Sequence, residues 1–183
     1  MFSQSSNPRV WKSMDSIAKS LFRLIRYKPY QEITVSEVCA KARITRKTFY
    51  RNFASLDDVI DFSVYSRLSR CILAENPSSF SEYLLGFFLL CEAKKENLAL
   101  FVEQGIYDHL ISSLLRYLPQ SNYIHSFALR AGYSEETMPF FWRSLVGCES
   151  YLVSAWICDG FKETPEELVK MSLLFFKTFQ GAN

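Results

Sequence analysis

Residues 34–53, TVSEVCAKARITRKTFYRNF, constrain the fold more than any other stretch, because they specify two short helices in tandem and load the second with cations. Thr34, with Glu37 three positions on, forms a capping box, and Val38, Cys39 and Ala42 then fall on one apolar side of a first helix. Thr45 opens the second helix. Arg46, Lys47, Thr48, Tyr50 and Arg51 project outward from it, while Phe49 and Phe53, four apart, share the inward face. Such an order is that of a helix-turn-helix, whose second helix lies in the major groove of DNA.

The charge distribution agrees. Between Arg9 and Arg51, eleven Lys and Arg stand against three acids (Asp15, Glu32, Glu37), a local excess of +8 in a chain whose net charge is only +2. The remainder is therefore acidic. Each cation placed at a phosphate releases condensed counterions, so a basic region on a nearly neutral protein suits a polyanionic partner. A charge run alone commonly just solvates a helix face; combined with the cap, the turn and the aromatic spacing, it points to double-stranded DNA.

The chain has 183 residues, of which 49% are hydrophobic and 16% aromatic, enough for a packed core in one large or two small domains. Only residues 1–8, polar and Ser-rich, read as a loose tail. No basic segment leads into an apolar run as in a signal peptide, and the longest apolar runs, 84–91 and 151–158, fall well short of the roughly 20 residues that span a bilayer. A soluble, cytoplasmic protein without membrane partners is expected. Five cysteines (Cys39, Cys71, Cys91, Cys148, Cys158), odd in number and widely spread, read as reduced and mostly buried thiols, and His109 and His125 are too isolated for a metal site.

Helical periodicity runs through the whole chain. Val10, Met14, Ile17, Ala18, Leu21, Phe22 and Ile25 make one apolar stripe on a helix over residues 9–27, which Pro29 stops. Ser55 and Asp58 start a helix with Leu56, Val59, Ile60, Val64 and Leu68 on its buried side, expected to reach Glu75. Ser79 with Glu82 starts another. Leu98, Phe101 and Val102 belong to a short helix, and Ile106 to Leu118 to the next, ended by Pro119; residues 120–132 are ambiguous, with Phe127 and Leu129 packed. Ser134 caps a helix reaching Gly160, and Thr164, Pro165, Glu166 and Glu167 form the strongest helix start of all. No segment alternates as a strand does. The class is all-α with about nine helices: a helix-turn-helix domain over 9–54, joined by a long helix to a dimerisation and ligand domain over 55–183.

Residues 33–60, ITVSEVCAKARITRKTFYRNFASLDDVI, resemble the DNA-binding region of TetR-type transcriptional regulators, above all in the Phe49-Tyr50 pair and Phe53 at the family's aromatic positions. Residues 156–168, WICDGFKETPEEL, look like the end of one branch of it. The resemblance implies a homodimer whose subunits each read DNA with three N-terminal helices and build a dimerisation and ligand region from about six more. It also implies a repressor that leaves its palindromic operator when a small molecule binds. Thr34, Thr45, Arg46, Lys47 and Thr48 then fall at the two helix starts, Tyr50 at a phosphate-contacting tyrosine, and Arg51 at a further phosphate contact. Two positions depart from the pattern. Arg43 stands where the family has a turn glycine, at a cost of about 1 kcal/mol unless it gains a contact, for instance with a phosphate. Leu56 stands where the family has a lysine touching the DNA backbone.

Aromatics of the second region, Phe87, Phe88, Phe101, Tyr107, Phe141, Trp142 and Tyr151, together with Cys91, either line an apolar ligand cavity or simply fill a core. Trp156, Leu168, Met171 and Phe175 are expected at a dimer interface, since the last two helices carry apolar residues on more than one face. No GxSxG elbow, glycine-rich phosphate loop or His/Cys cluster supports an enzyme, and no cofactor or metal is implied. Two other functions remain: a helical regulator without a small ligand, governed by a protein partner or acting as a co-activator, and a pure protein-interaction module.

Overall fold

A computed structural model describes residues 8–71 and 77–178, and every regular element in them is helical. The ten α-helices are α1 (Pro8–Ile25), α2 (Val35–Ala42), α3 (Arg46–Asn52), α4 (Leu56–Cys71), α5 (Phe80–Glu92), α6 (Lys95–Glu103), α7 (Tyr107–Tyr117), α8 (Asn122–Arg130), α9 (Met138–Cys158) and α10 (Pro165–Thr178). Short 3-10 turns cover Tyr30–Glu32 and Leu118–Gln120. The ambiguous stretch before Gly132 is a helix, started by Ser121, whose hydroxyl accepts from the Ile124 amide. It buries Ile124 and Ala128 and leaves Leu129 exposed, which corrects the expectation that Leu129 packs.

The chain divides into two compact units, one made of residues 1–67 and 100–114, the other of 68–99 and 115–183. The expected boundary at 54/55 does not follow this division, which runs through α4, α6 and α7.

In the first unit, α1 buries Met14, Ile17, Ala18, Leu21, Phe22 and Ile25, the stripe read from the sequence except for Val10, which is half-buried. It packs against α2 and α3. Residues 101–114 complete this core with Phe101, Ile106, Leu110 and Leu114, and the Phe101 ring lies 5.8 Å from that of Phe22. At the start of α4, Asp58 accepts from the amides of Ala54 and Ser55 while its own amide donates to the Ser55 hydroxyl, so the expected cap forms. Beyond it α4 differs from a one-sided helix. Residues 61–66 are buried without a break, and the polar ones turn inward to partners: Ser66 donates to the Ser63 carbonyl, and Asp61 accepts a 2.6 Å bond from the Ser113 hydroxyl of α7. The expected end of this helix at Glu75 lies outside the described residues.

In the second unit, α5 buries Tyr83, Leu84, Phe87, Phe88 and Cys91 and packs on α10. Ser79 caps α5, and Phe80 at its first turn stacks on Phe127 of α8 at 4.8 Å. α9 begins at Met138 rather than next to Ser134, because Ser134 and Thr137 close a hydrogen-bonded turn of their own and Pro139 suits a first helical turn. Thr164 and Glu167 exchange the two bonds of a capping box at the start of α10.

Removing the hydroxyl in Ser113→Ala takes a donor from a buried carboxylate, and unfolding in urea should show a loss of about 1 to 3 kcal/mol. Ser113→Thr, which keeps the hydroxyl, should lose less. Equal midpoints for wild type and Ser113→Ala would show that the bond contributes nothing net.

Candidate nucleic-acid interface

The interface is built outward from α2. The Thr34 hydroxyl accepts from the Glu37 amide at 3.3 Å, and Glu37 accepts from the Thr34 amide at 2.8 Å, which closes the capping box. Lys28 adds an ion pair to Glu37 at 2.9 Å. Its ammonium and the Thr34 donors together hold the Glu37 carboxyl down at about 2. Val38 and Cys39 point into the core. At the far end the chain turns through Arg43, whose φ of 56° and ψ of 46° are the left-handed conformation usually left to glycine. The turn is closed by bonds from the amides of Arg43 and Ile44 to the carbonyls of Ala40 and Cys39.

α3 follows at once. Thr45 caps it, taking the Thr48 amide at 3.2 Å, and the two threonine hydroxyls lie 3.0 Å apart. A helix of seven residues has little stability of its own, so its hold on the core decides its orientation. That hold is aromatic. Phe49 is fully buried, its ring 5.9 Å from Phe53, which meets Phe62 of α4 edge-on at 5.7 Å, which in turn lies 5.0 Å from Trp11 of α1. With Phe49 inward, helical geometry turns Lys47 and Arg51 to the opposite side, and Arg46, Lys47, Tyr50 and Arg51 are all exposed. Thr34, Arg43 and Thr45 are exposed too, and Thr48 is half-buried. Among the described residues, the side chains of Arg43, Lys47 and Arg51 are committed to no ion pair or hydrogen bond. Arg46 differs: its guanidinium lies 5.8 Å from the centre of the Tyr50 ring, with Nη2 3.5 Å from the hydroxyl. These two form one surface element.

Sequence reasoning missed the brace behind this surface. Gln104, at the end of α6, accepts from the Tyr30 amide at 3.0 Å and donates to the Ile25 carbonyl at 3.3 Å, spanning the break between α1 and the turn before α2. Tyr30 donates to Asp57 on the first turn of α4, and His109 sits beside both, 3.8 Å from the Asp57 carboxylate and edge-on to the Tyr30 ring. Burial and the neighbouring carboxylate push the Tyr30 phenol well up, so it remains a donor. A glutamine 74 residues downstream of its partner carries no local signal that could have found it.

The residues expected around a ligand divide between the two units. Phe101 is buried and Tyr107 half-buried in the first; Phe87, Phe88, Cys91, Phe141 and Trp142 are buried in the second. Tyr151 is 80% exposed and lines no interior space of its own chain, because its position on α9 is opposite the buried stripe of Trp142, Val146 and Val153. Trp156 and Leu168, expected between subunits, are 2% and 1% exposed and belong to their own core: the Trp156 indole donates to the Glu163 carbonyl at 3.0 Å, and its ring lies 4.9 Å from Phe161. Met171 and Phe175 are exposed, as are Phe140 and Leu174. Cys39 and Cys91 are buried but Cys148 and Cys158 are exposed, so thiols are less sequestered than their spacing suggested.

Arg43→Gly should raise the midpoint of thermal unfolding, since glycine relieves a left-handed side chain by roughly 1 kcal/mol. An unchanged or lowered midpoint would mean that the arginine gains an equal contact within the chain. Because the Glu37 carboxyl is depressed, its contribution is present above the ordinary carboxylate range and is lost as pH falls towards about 2. Glu37→Gln should therefore be less stable than wild type at pH 7, with the gap closing below pH 3 in parallel melts.

No protein-family model matches the chain, and no curated protein matches it either. Among solved structures, the fold is similar to that of the dihydroxyacetone kinase operon activator DhaS, with a TM-score of 0.60 over 91% of this chain and 94% of that one. Sequence identity across the match is 16%, so the likeness is one of fold. Among the described residues, no helix is long and apolar enough to cross a membrane.

Proposed function

We propose that the protein is a DNA-binding transcriptional regulator of the TetR type, acting as a homodimer on a near-palindromic operator and controlled by a small lipophilic or aromatic effector. One observation carries the reading. A capped seven-residue helix, fixed from behind by Phe49, offers four exposed side chains, Arg46, Lys47, Tyr50 and Arg51, of which three are cationic, next to the exposed Arg43 of the turn. A structural helix of that length has no reason to concentrate uncommitted cations on one side, whereas a helix entering the major groove needs them there.

In this reading Arg46, Lys47 and Thr48, nearest the helix N-terminus, read bases, and Tyr50 and Arg51 hold phosphates, with Thr34, Arg43 and Thr45 along the flanking backbone. Arg46 and Tyr50, being in contact, set each other's position. The exposed apolar side chains of the last two helices, Tyr151 on α9 and Met171, Leu174 and Phe175 on α10, supply a self-complementary surface. Effector binding among Phe87, Phe88, Cys91, Phe141 and Trp142 would repress or release DNA binding by favouring one arrangement of the dimer over another. Activation is the second reading of the sign of control, favoured by the fold-level likeness to an operon activator.

Titration of non-specific duplex DNA at several salt concentrations should show affinity falling steeply with salt. Arg51→Ala should weaken all duplexes alike and lower the salt slope by about 1, while Lys47→Ala should cost roughly 1 to 3 kcal/mol on the selected operator and relax preference at one position. Affinities and slopes unchanged in both variants would refute the DNA interface. Separately, Met171→Glu should convert a dimer to a monomer in sedimentation velocity at micromolar concentration; a wild type that sediments as a monomer would refute the assembly.

A further inference from the structure

Glu149 is a carboxyl group placed in the middle of an apolar stripe of the second unit. It lies on α9 in line with Trp142, Leu145, Val146, Val153 and Trp156, all buried, and is itself 4% exposed. Its Oε2 accepts a 3.3 Å bond from the Tyr83 hydroxyl of α5. Its Oε1 has no hydrogen-bond partner among the described residues. Tyr83, Phe87 and Cys91 follow one another at intervals of four on the buried face of α5, and both Tyr83 and Cys91 are near enough to Glu149 to feel its charge. An acid in such a place, with an oxygen left over, is costly to a fold and is the kind of group that binding sites retain.

We propose that Glu149 is the anchor of an effector site in the second unit, and that the effector is a primary or secondary ammonium ion carried on an apolar body. The unused Oε1 asks for a donor, and a buried carboxylate asks for a positive charge; an N–H ammonium supplies both, which an alcohol or a quaternary ammonium does not. The aromatic residues of α5 and α9 on either side suit an apolar body. The inference rests on the regulator reading in taking the ligand to be an effector, and narrows that reading from lipophilic compounds in general to amines.

Proton balance gives the proposal a signature. Burial pushes the Glu149 carboxyl up to about 8, the Tyr83 bond only partly opposing it, so at pH 7 the empty site holds a proton. The other titratable groups facing it, Tyr83 and Cys91, are pushed upward by burial as well and keep their protons. Ammonium binding then sends the Glu149 proton to solvent. Affinity should rise roughly tenfold per pH unit from pH 6 to near 8 and level off above it.

The test is calorimetric titration of the full-length protein, without DNA, with phenethylamine, N-methylphenethylamine and hexylamine, with 2-phenylethanol and tetramethylammonium as controls. The expected result is binding of at least one amine, at least tenfold tighter than either control, with close to one proton released per amine at pH 7 in buffers of different ionisation enthalpy. Glu149→Gln should abolish the preference for the amine. It should still fold, since an acid raised in the folded state costs stability that grows from the ordinary carboxylate range to about pH 8 and persists above it, a cost that the amide does not carry. Tyr83→Phe, which leaves the carboxylate in place, should keep amine binding and serves as the second variant. No binding of any amine at millimolar concentration, equal binding of phenethylamine and 2-phenylethanol, or undiminished amine binding by Glu149→Gln would overturn the proposal. A failure to bind duplex DNA would instead count against the regulator reading, because the amine titration contains none.

Discussion

Everything on the cationic surface depends on Phe49 being buried. Seven helical residues cannot hold a direction in water, and the capping bonds of Thr45 fix only where the helix begins. The direction comes from the run of rings through Phe49, Phe53, Phe62 and Trp11, which reaches from α3 through α4 to the first turns of α1. Aromatic pairs of this kind contribute about 0.5 to 1.5 kcal/mol each beyond the area they bury, and their preferred geometry resists rotation of the helix about its axis. A turn of some 160° about that axis would bring Lys47 or Arg51 inward in place of Phe49.

That arrangement was legible in the sequence because its signals are local. The capping boxes at Thr34, Ser55 and Thr164, the spacing of Phe49 and Phe53, and the stripe of α1 each lie within a few residues, and each is present in the structure. What was not legible joins distant residues. Gln104 holds Tyr30 and Ile25, Ser113 satisfies Asp61, and Tyr83 meets Glu149 across 66 residues; no period or cap announces such pairs. The errors follow the same line. Trp156 and Leu168 looked available for a partner because a wide apolar surface says that a residue is covered, not by what, and their own core covers them. Ser134 with two acids after it reads as a helix start, but Thr137 and Pro139 place the start at Met138.

Arg43 and Glu149 illustrate two ways in which local stability is given up. Arg43 occupies a backbone conformation that glycine would hold more easily, on the exposed side, with its cation directed to no partner among the described residues. Glu149 occupies an apolar stripe that a leucine would fill better, on the buried side, with one oxygen unmatched among the described residues. A chain shaped for stability alone would have neither, and sites that depart from local preference are where function is to be sought. The first faces the surface that we assign to DNA and the second the region that we assign to an effector.

The first unit closes its core with residues 100–114, which ribosomes add only after 32 residues of the second unit have been made. During synthesis, α1, α2 and α3 are complete well before Phe101, Ile106, Leu110 and Leu114 exist to cover them. At elongation rates of about 5 to 20 residues per second, the interval between residue 67 and residue 114 lasts roughly 2 to 10 s, far longer than helix formation or collapse. Through that interval the cationic helix can form against Phe53, Phe62 and Trp11, while the side of α1 that meets Phe101 through Phe22 is still uncovered. The nascent chain therefore passes through a stage at which its cationic surface exists without the brace from Gln104.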